Sequence, residues 1–448
     1  MKNRNISVPL ILLATSLGTG RPCLAAEGTA ATTTTTATPS SLTLDEAMRL
    51  TREHNPRALQ ATDEVKAASA RVTQARSAWF PQISAKAGYQ YIDPVSEISF
   101  GGVPMKFMPN DNYDARITAE MLLFDFGRSG RTVDMAKSGR EAATHKRDMT
   151  LRDLSLATVR SFYSVLFLQE AVKVKDKEIA ALQQNLDHMQ KRYQEGVATR
   201  YDLLTTQVRL ADANNRKIDL QTELDNQRIN LRRLCGLTES STLDLKGSFD
   251  ITRTDMDATR LAANALEQRP EIMIARENHK AATYRKSLSA KEGLPKIVGS
   301  ASWGTTNGYQ PDINEMRTNV AAGVQLQVPI FTGFRTSAST KEASAMMHAA
   351  EQERIDTEEM VRAEVRQSIN DLKTSEEKIG TTTLQVSQAD LAAKHARIRY
   401  QNGLGTTLDL LDAEARLANA ELANLQARYE YVLNAYAVRR ASGDLIEK

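Results

Sequence analysis

The sequence predicts a mixed α and β membrane protein, internally duplicated, in which short alternating strands lead into very long amphipathic helices. Three observations predict it. A thirteen-residue stretch occurs twice, as Arg192-Tyr-Gln-Glu-Gly-Val-Ala-Thr-Arg-Tyr-Asp-Leu-Leu204 and as Arg399-Tyr-Gln-Asn-Gly-Leu-Gly-Thr-Thr-Leu-Asp-Leu-Leu411. The copies lie 207 residues apart, nearly half the chain, which marks a large duplication and not a short solenoid repeat. In each half the hydrophobic period changes from about 3.6 to about 2 just after a proline. Each half also holds a run of 68 residues almost free of helix breakers.

Composition narrows the class. The 448 residues carry 58 Lys plus Arg against 55 Asp plus Glu, a net charge of +3, which gives no reason to expect nucleic acid. Mean hydropathy is −0.42, and after the N-terminus no apolar run is long enough for a membrane-spanning helix. Residues 1–26 read as an export signal: Lys2 and Arg4, then an apolar core from Ile6 to Leu17, then Cys23-Leu24-Ala25-Ala26 with cleavage after Ala25 or Ala26. Cys23 raises the question of a lipid anchor. Pro22 stands where a small residue is wanted, which favours ordinary cleavage. Cys235 is then the sole cysteine of the mature chain, so no intramolecular disulfide is possible. Residues 27–41, rich in Thr and Ala, read as a disordered tail.

The first unit, 42–247, begins with Thr43 as N-cap before Asp45-Glu46. Leu44, Ala47, Met48 and Leu50 form a helical stripe, broken at Asn55-Pro56. A second helix follows, through Leu59, Val65, Ala68 and Val72 to Trp79, and Phe80-Pro81 ends it. The second unit, 248–443, echoes this with Leu261, Ala265 and Leu266, then Arg269-Pro270 and Gly293-Leu294-Pro295; the paired prolines are 214 apart. Residues 444–448 are a short tail.

Strands follow the prolines: Ile83–Tyr91 and Ala115–Leu123 in the first unit, Ile297–Trp303 and Val320–Val328 in the second. Ile83, Ala85, Ala87, Tyr89 and Tyr91 share one face, as do Val320, Ala322, Val324, Leu326 and Val328. Their length suits a tilted membrane strand, although a small soluble sheet with one wet face has the same pattern. Ile92 to Asn112 and Gly304 to Thr318 read as surface loops, with Val103, Met105, Phe107 and Met108 as loop packing. After Phe124-Asp-Phe-Gly-Arg128 and Phe331-Thr-Gly-Phe-Arg335 come helices from Arg128 to Glu195 and from Arg335 to Asn402. Each is about 100 Å long if continuous. Return helices run from Thr199 to Cys235 and Thr406 to Ser442, capped by Gly236 and Gly443. Leu203, Val208, Leu210, Ile218, Leu224, Ile229 and Leu234 form one packing stripe, and Leu410, Leu417, Leu422, Leu425, Tyr429, Val432 and Tyr436 another.

Four strands per chain cannot close a barrel. An open sheet in a membrane would leave backbone groups unpaired, so closure needs several copies. Three copies give a trimeric 12-stranded β-barrel continuing into a long α-helical barrel.

At this point the chain resembles the TolC family of bacterial outer-membrane efflux proteins. The resemblance rests on Trp79-Phe-Pro81, Leu123-Phe-Asp125, Pro329-Ile-Phe-Thr-Gly333 and the two turn copies, above all Arg399-Tyr-Gln-Asn-Gly403 with Thr407-Leu-Asp-Leu-Leu-Asp412, and covers about Leu42 to Gly443. It implies a homotrimeric barrel in the outer-membrane lipid with a periplasmic helical extension. It also implies docking to a periplasmic adaptor and an inner-membrane transporter. In such channels aspartates just after the second turn ring the closed entrance, which puts a pore constriction at Asp409 and Asp412. Their spacing of three sets both on one helical face. The alternative is that they are first-turn acids favoured by the helix dipole, a reading that suits Asp202 better than Asp412. A family gate network would fall on Asp202, Tyr400 and position 405. Residue 405 is Gly405 where the family has arginine, leaving Arg399 or Arg200 as substitutes. The hairpin tips that would face the adaptor are Gly196, Val197, Thr199, Gly403, Leu404 and Thr406.

Catalysis finds no motif. His54, His145, His188, His279, His348 and His395 lack metal-ligand spacing, and neither a phosphate loop nor a nucleophile motif occurs, so no cofactor is expected. The competing reading is a soluble periplasmic coiled-coil adaptor, which would want a compact β-domain in place of two separate hairpins.

Overall fold

The computed structural model describes residues 42–100, 103–238, 244–249 and 256–444. The export signal, the tail to residue 41 and residues 445–448 lie outside the described residues.

Each half opens with a helix pair broken at proline: α1 (Leu44–His54) and α2 (Pro56–Arg76), then α5 (Ala258–Gln268) and α6 (Pro270–Ala290). Proline at the first helical position has no N–H to lose, so each break starts a new helix without an orphaned donor. Thr43 and Glu46 form a capping box on α1. The long helices are continuous: α3 (Arg128–Gln194) and α7 (Arg335–Gln401) have 67 residues each, and their returns α4 (Arg200–Cys235) and α8 (Thr407–Ser442) have 36 each. Among the described residues, no helix is long and apolar enough to cross a membrane.

Gly236 ends α4 in the left-handed region (φ 66°). A larger residue there would have to displace its neighbours, since an added Cβ would lie 2.7 Å from the Cβ of His54. At the two strand-to-helix junctions, consecutive residues take positive φ: Phe126 and Gly127 in the first half, Gly333 and Phe334 in the second.

Helix α3 is the hub, packing against α2, α4, α6 and α8; α7 packs against α6 and α8. The hairpins therefore form a row, α4–α3–α8–α7. One buried cluster joins α1, α3 and α4 through Met48, Leu50, Val159, Phe162, Leu231 and Cys235. A second joins α5, α7 and α8 through Leu261, Val365, Ile369, Leu372, Ala435 and Val438. The predicted packing stripe on α4 divides. Leu224 is buried, but Val208, Ile218 and Ile229 are exposed, because α4 ends the row and that face meets no helix among the described residues. Leu384, Leu391 and Ile398 on α7, the other end of the row, are exposed as well.

The strands β1 (Gln82–Tyr91), β4 (Asp111–Phe124), β5 (Lys296–Thr306) and β6 (Arg317–Gln327) form one antiparallel sheet in the order β1-β4-β5-β6. Two corrections concern its loops. Gly304 and Thr318 belong to β5 and β6, because ladder pairing extends past the apolar alternation. The segment read as a plain loop from Ile92 contains a hairpin of β2 (Glu97–Phe100) and β3 (Val103–Lys106). Met105, Phe107 and Met108 there are exposed and do not pack in the loop.

Candidate functional site

The ladder register sorts the sheet into two unlike faces, since directly paired residues point the same way. Ile83 pairs with Ala119, Ala85 with Ile117, Tyr89 with Tyr113, and Ile117 in turn with Trp303, which faces Val320. This face is apolar from edge to edge. On the other face Ser84 pairs with Thr118, Lys86 with Arg116, Gln82 with Glu120, and Glu120 with Ser300. Both faces are open: Ile83 is 70% exposed and Val320 74% on the apolar face, and Ser84, Lys86 and Arg116 are exposed on the polar one. Aromatic residues mark the two ends, with Tyr89, Tyr91 and Tyr113 exposed at one and Phe80, Phe124, Phe331 and Phe334 at the other. Nine residue steps from Gln82 to Tyr91 span about 30 Å of strand, which at a tilt of about 40° covers the roughly 25 Å apolar band of a membrane barrel. Among the described residues the sheet has no core of its own, and its edges β1 and β6 have no strand beside them.

The repeated stretch forms the tips of the two helical hairpins. In the first, Gly196 takes φ 76° and Val197 N–H donates to the Arg192 carbonyl at 2.9 Å. In the second, Gly403 takes φ 73° and Leu404 N–H donates to the Arg399 carbonyl at 2.8 Å. Both glycines sit where a side chain would be strained. Val197 and Leu404 project into solvent, 62% and 71% exposed. Thr199 and Thr406 are the N-caps of the return helices.

Asp202 and Asp409 occupy the same place, three residues after the cap. Asp202 N–H donates to Thr199 Oγ1 at 3.2 Å, and Asp409 N–H to Thr406 Oγ1 at 3.1 Å. The Thr406 backbone N–H, bonded to the Asp409 carboxylate, holds that group below its ordinary range. Capping thus suits Asp409 as fully as Asp202. Asp412 lies one turn further on, half-exposed and ion-paired with Arg416 at 3.0 Å.

Among the described residues, no hydrogen bond joins Asp202 to Tyr400. Tyr400 instead lies under Arg192, whose guanidinium carbon is 5.3 Å from the ring centroid. Arg399 stays in its own turn, donating to the Leu404 carbonyl at 3.1 Å. Gly405 lies against that turn, with space for a Cβ only 3.4 Å from Arg399 Cβ and the Tyr400 nitrogen.

Sequence reasoning missed the polar link just above the tips. Glu414 of α8 is buried, accepting from Asn185 of α3 at 2.8 Å and from Arg397 of α7 at 3.2 Å. With His188, Arg192 and Tyr400 these groups line a cavity of about 430 Å³ between the hairpins. The available signal was a carboxylate one turn from Leu410 and Leu411 and one turn before Ala418, on a stripe otherwise buried and apolar.

The sequence profile of the outer membrane efflux proteins matches residues 47–237 and again 261–444. The chain belongs to the outer membrane efflux protein family. Outer membrane protein TolC of Vibrio cholerae is 26% identical over 413 residues, covering 90% of this chain and 91% of the relative. Alkaline protease secretion protein AprF of Pseudomonas aeruginosa is 25% identical over 420 residues, covering 91% and 85%. The solved CmeC outer membrane channel of Campylobacter jejuni superposes with a TM-score of 0.78 at 16% identity, covering 90% of this chain and 85% of that one. Family membership places this efflux protein in the outer membrane and sets aside the soluble adaptor reading. Among the described residues, no cluster of His, Cys, Asp or Glu could hold a metal ion.

Proposed function

We propose that this protein is the outer-membrane duct of a tripartite efflux or type I secretion system, working as a homotrimer with a periplasmic adaptor and an inner-membrane transporter. The observation that supports it most is the four-stranded sheet with one apolar face, one polar face and two free edges. In a ring of three copies, β1 of one chain pairs with β6 of the next, and α4 lies beside the neighbour's α7. The exposed stripes on α4 and α7 are then covered by the same operation. Unlike edges make a head-to-tail contact, which closes when the rotation closes. The polar face lines the lumen and the apolar face meets lipid. Residues 42–247 and 248–443 act as two copies of one structural unit. The hairpin tips at Gly196, Val197, Thr199, Gly403, Leu404 and Thr406 face the adaptor. Three copies of Asp409 and Asp412 ring the periplasmic entrance and favour cations. The protein conducts and does not catalyse.

Detergent extraction of isolated outer membranes tests this. Heat-resistant trimers that conduct ions in planar bilayers support the duct. A monomer recovered from the periplasm without detergent overturns it.

A further inference from the structure

The polar face of the sheet carries a feature that stability does not account for. Lys86 of β1 and Arg116 of β4 are directly opposite in the ladder. Like charges in that position destabilise a sheet. Arg116 shares Asp114, two residues along its own strand, through Nε at 2.8 Å. Among the described residues, Lys86 has no ion-pair partner. The nearest acid below the pair on this face is Glu120, four residues from Arg116 in β4. That is about 13 Å along the strand, beyond the roughly 8 Å screening length at physiological salt. On the far side of Arg116 the register places Gly304. A Cβ there would lie 2.5 Å from both Arg116 Cβ and the Ala115 carbonyl oxygen. Arg116 therefore packs directly on the Gly304 backbone, where no side chain fits. The pair stands near the middle of β1, away from both aromatic ends.

We propose that Lys86 and Arg116 form a basic belt midway along the barrel lumen that binds polyvalent oxyanions. This rests on the trimeric duct reading, in which the polar face is luminal. Three copies place six cationic groups at one level of the wall, with Asp114 offsetting one in each chain. The belt is opposite in sign to the aspartates at the periplasmic entrance, so the duct holds two charge stations of opposite preference. The belt is the station met by anions arriving from outside.

Tripolyphosphate added to one side of single trimers in planar bilayers tests it. Block of the potassium chloride current is expected from the barrel side, with an apparent affinity that falls about tenfold in Lys86→Gln with Arg116→Gln, as expected for losing Coulomb contacts in water. Both positions are exposed, and removing the like-charge pair relieves repulsion, so the variant trimer should assemble. Conducting trimers with no tripolyphosphate block, or with block unchanged in the double variant, overturn the belt while leaving the duct standing. Absence of trimers and conductance in the unsubstituted protein overturns the duct itself.

Discussion

Removing Glu414 should loosen the periplasmic tips. Its carboxylate, 8% exposed, holds Asn185 of the first hairpin and Arg397 of the second. A hydrogen bond to a charged group contributes about 1.5–3 kcal/mol net, and the lower figure suits the neutral Asn185. Arg397 is 49% exposed, which screens its share to about 0.5 kcal/mol. Glu414→Ala therefore weakens the attachment of α8 to α3 and α7 by about 2 kcal/mol per protomer. If the hairpins of three protomers part together, the losses add to about 6 kcal/mol, roughly four orders of magnitude in the closed-to-open ratio. Single-channel recording in planar bilayers reads that ratio as dwell times. Glu414→Ala is expected to stay open far longer than the unsubstituted protein, with Glu414→Gln between them because the amide keeps the shape and loses the charge. Unchanged dwell times in Glu414→Ala trimers that remain heat-resistant on gels would refute the reasoning.

Other outcomes follow from the same geometry. Asp409→Ala with Asp412→Ala should lower cation selectivity, read from reversal potentials in a salt gradient; equal selectivity removes the ring. Loss of the capping-box contact between Asp409 and Thr406 should also lower the melting temperature. Gly236→Ala should destabilise by about 1 kcal/mol or more from backbone conformation alone, with the His54 contact adding to it; thermal unfolding no lower than the parent's would contradict this. Burial pushes the Glu271 carboxyl up, but Arg269 and Arg152 override it and hold the group at about 2. A depressed carboxylate stabilises the fold above its unfolded value and loses that contribution as pH falls from about 4.5 to 2, here about 3 kcal/mol. Thermal stability should drop across that window, and Glu271→Gln should be less stable at neutral pH with a flatter acid limb. A parallel acid limb in the variant would count against Glu271.

The helices were legible because their punctuation is local. Asn55-Pro56, Arg269-Pro270, Gly236 and Gly443 end or start helices by backbone geometry that needs no tertiary partner, and α3, α4, α7 and α8 fall within a residue of the predicted bounds. The alternating strands were legible for the same reason. The β2–β3 hairpin was not, because its strands of four residues each are too short to show a period. What covers the exposed half of the α4 stripe was not legible, because an apolar stripe reports only that something covers it. Val208 and Leu224 look alike in sequence, and only the row order shows which one its own chain covers. At the tips, the capping roles of Thr199 and Thr406 follow from spacing. The Arg192–Tyr400 contact and the Glu414 link do not, since they join helices more than two hundred residues apart or turn on which face of α8 meets α3.

The two free edges of the protomer are unlike, and this has a genetic consequence. A chain whose β1 edge is ruined, for example by a proline at Ala87, keeps an intact β6 edge and can still join one neighbour. It would enter rings made by normal chains and leave them with one unsealed seam. Such an allele should be dominant when both chains are made in one cell, whereas an allele that prevents folding altogether should be recessive.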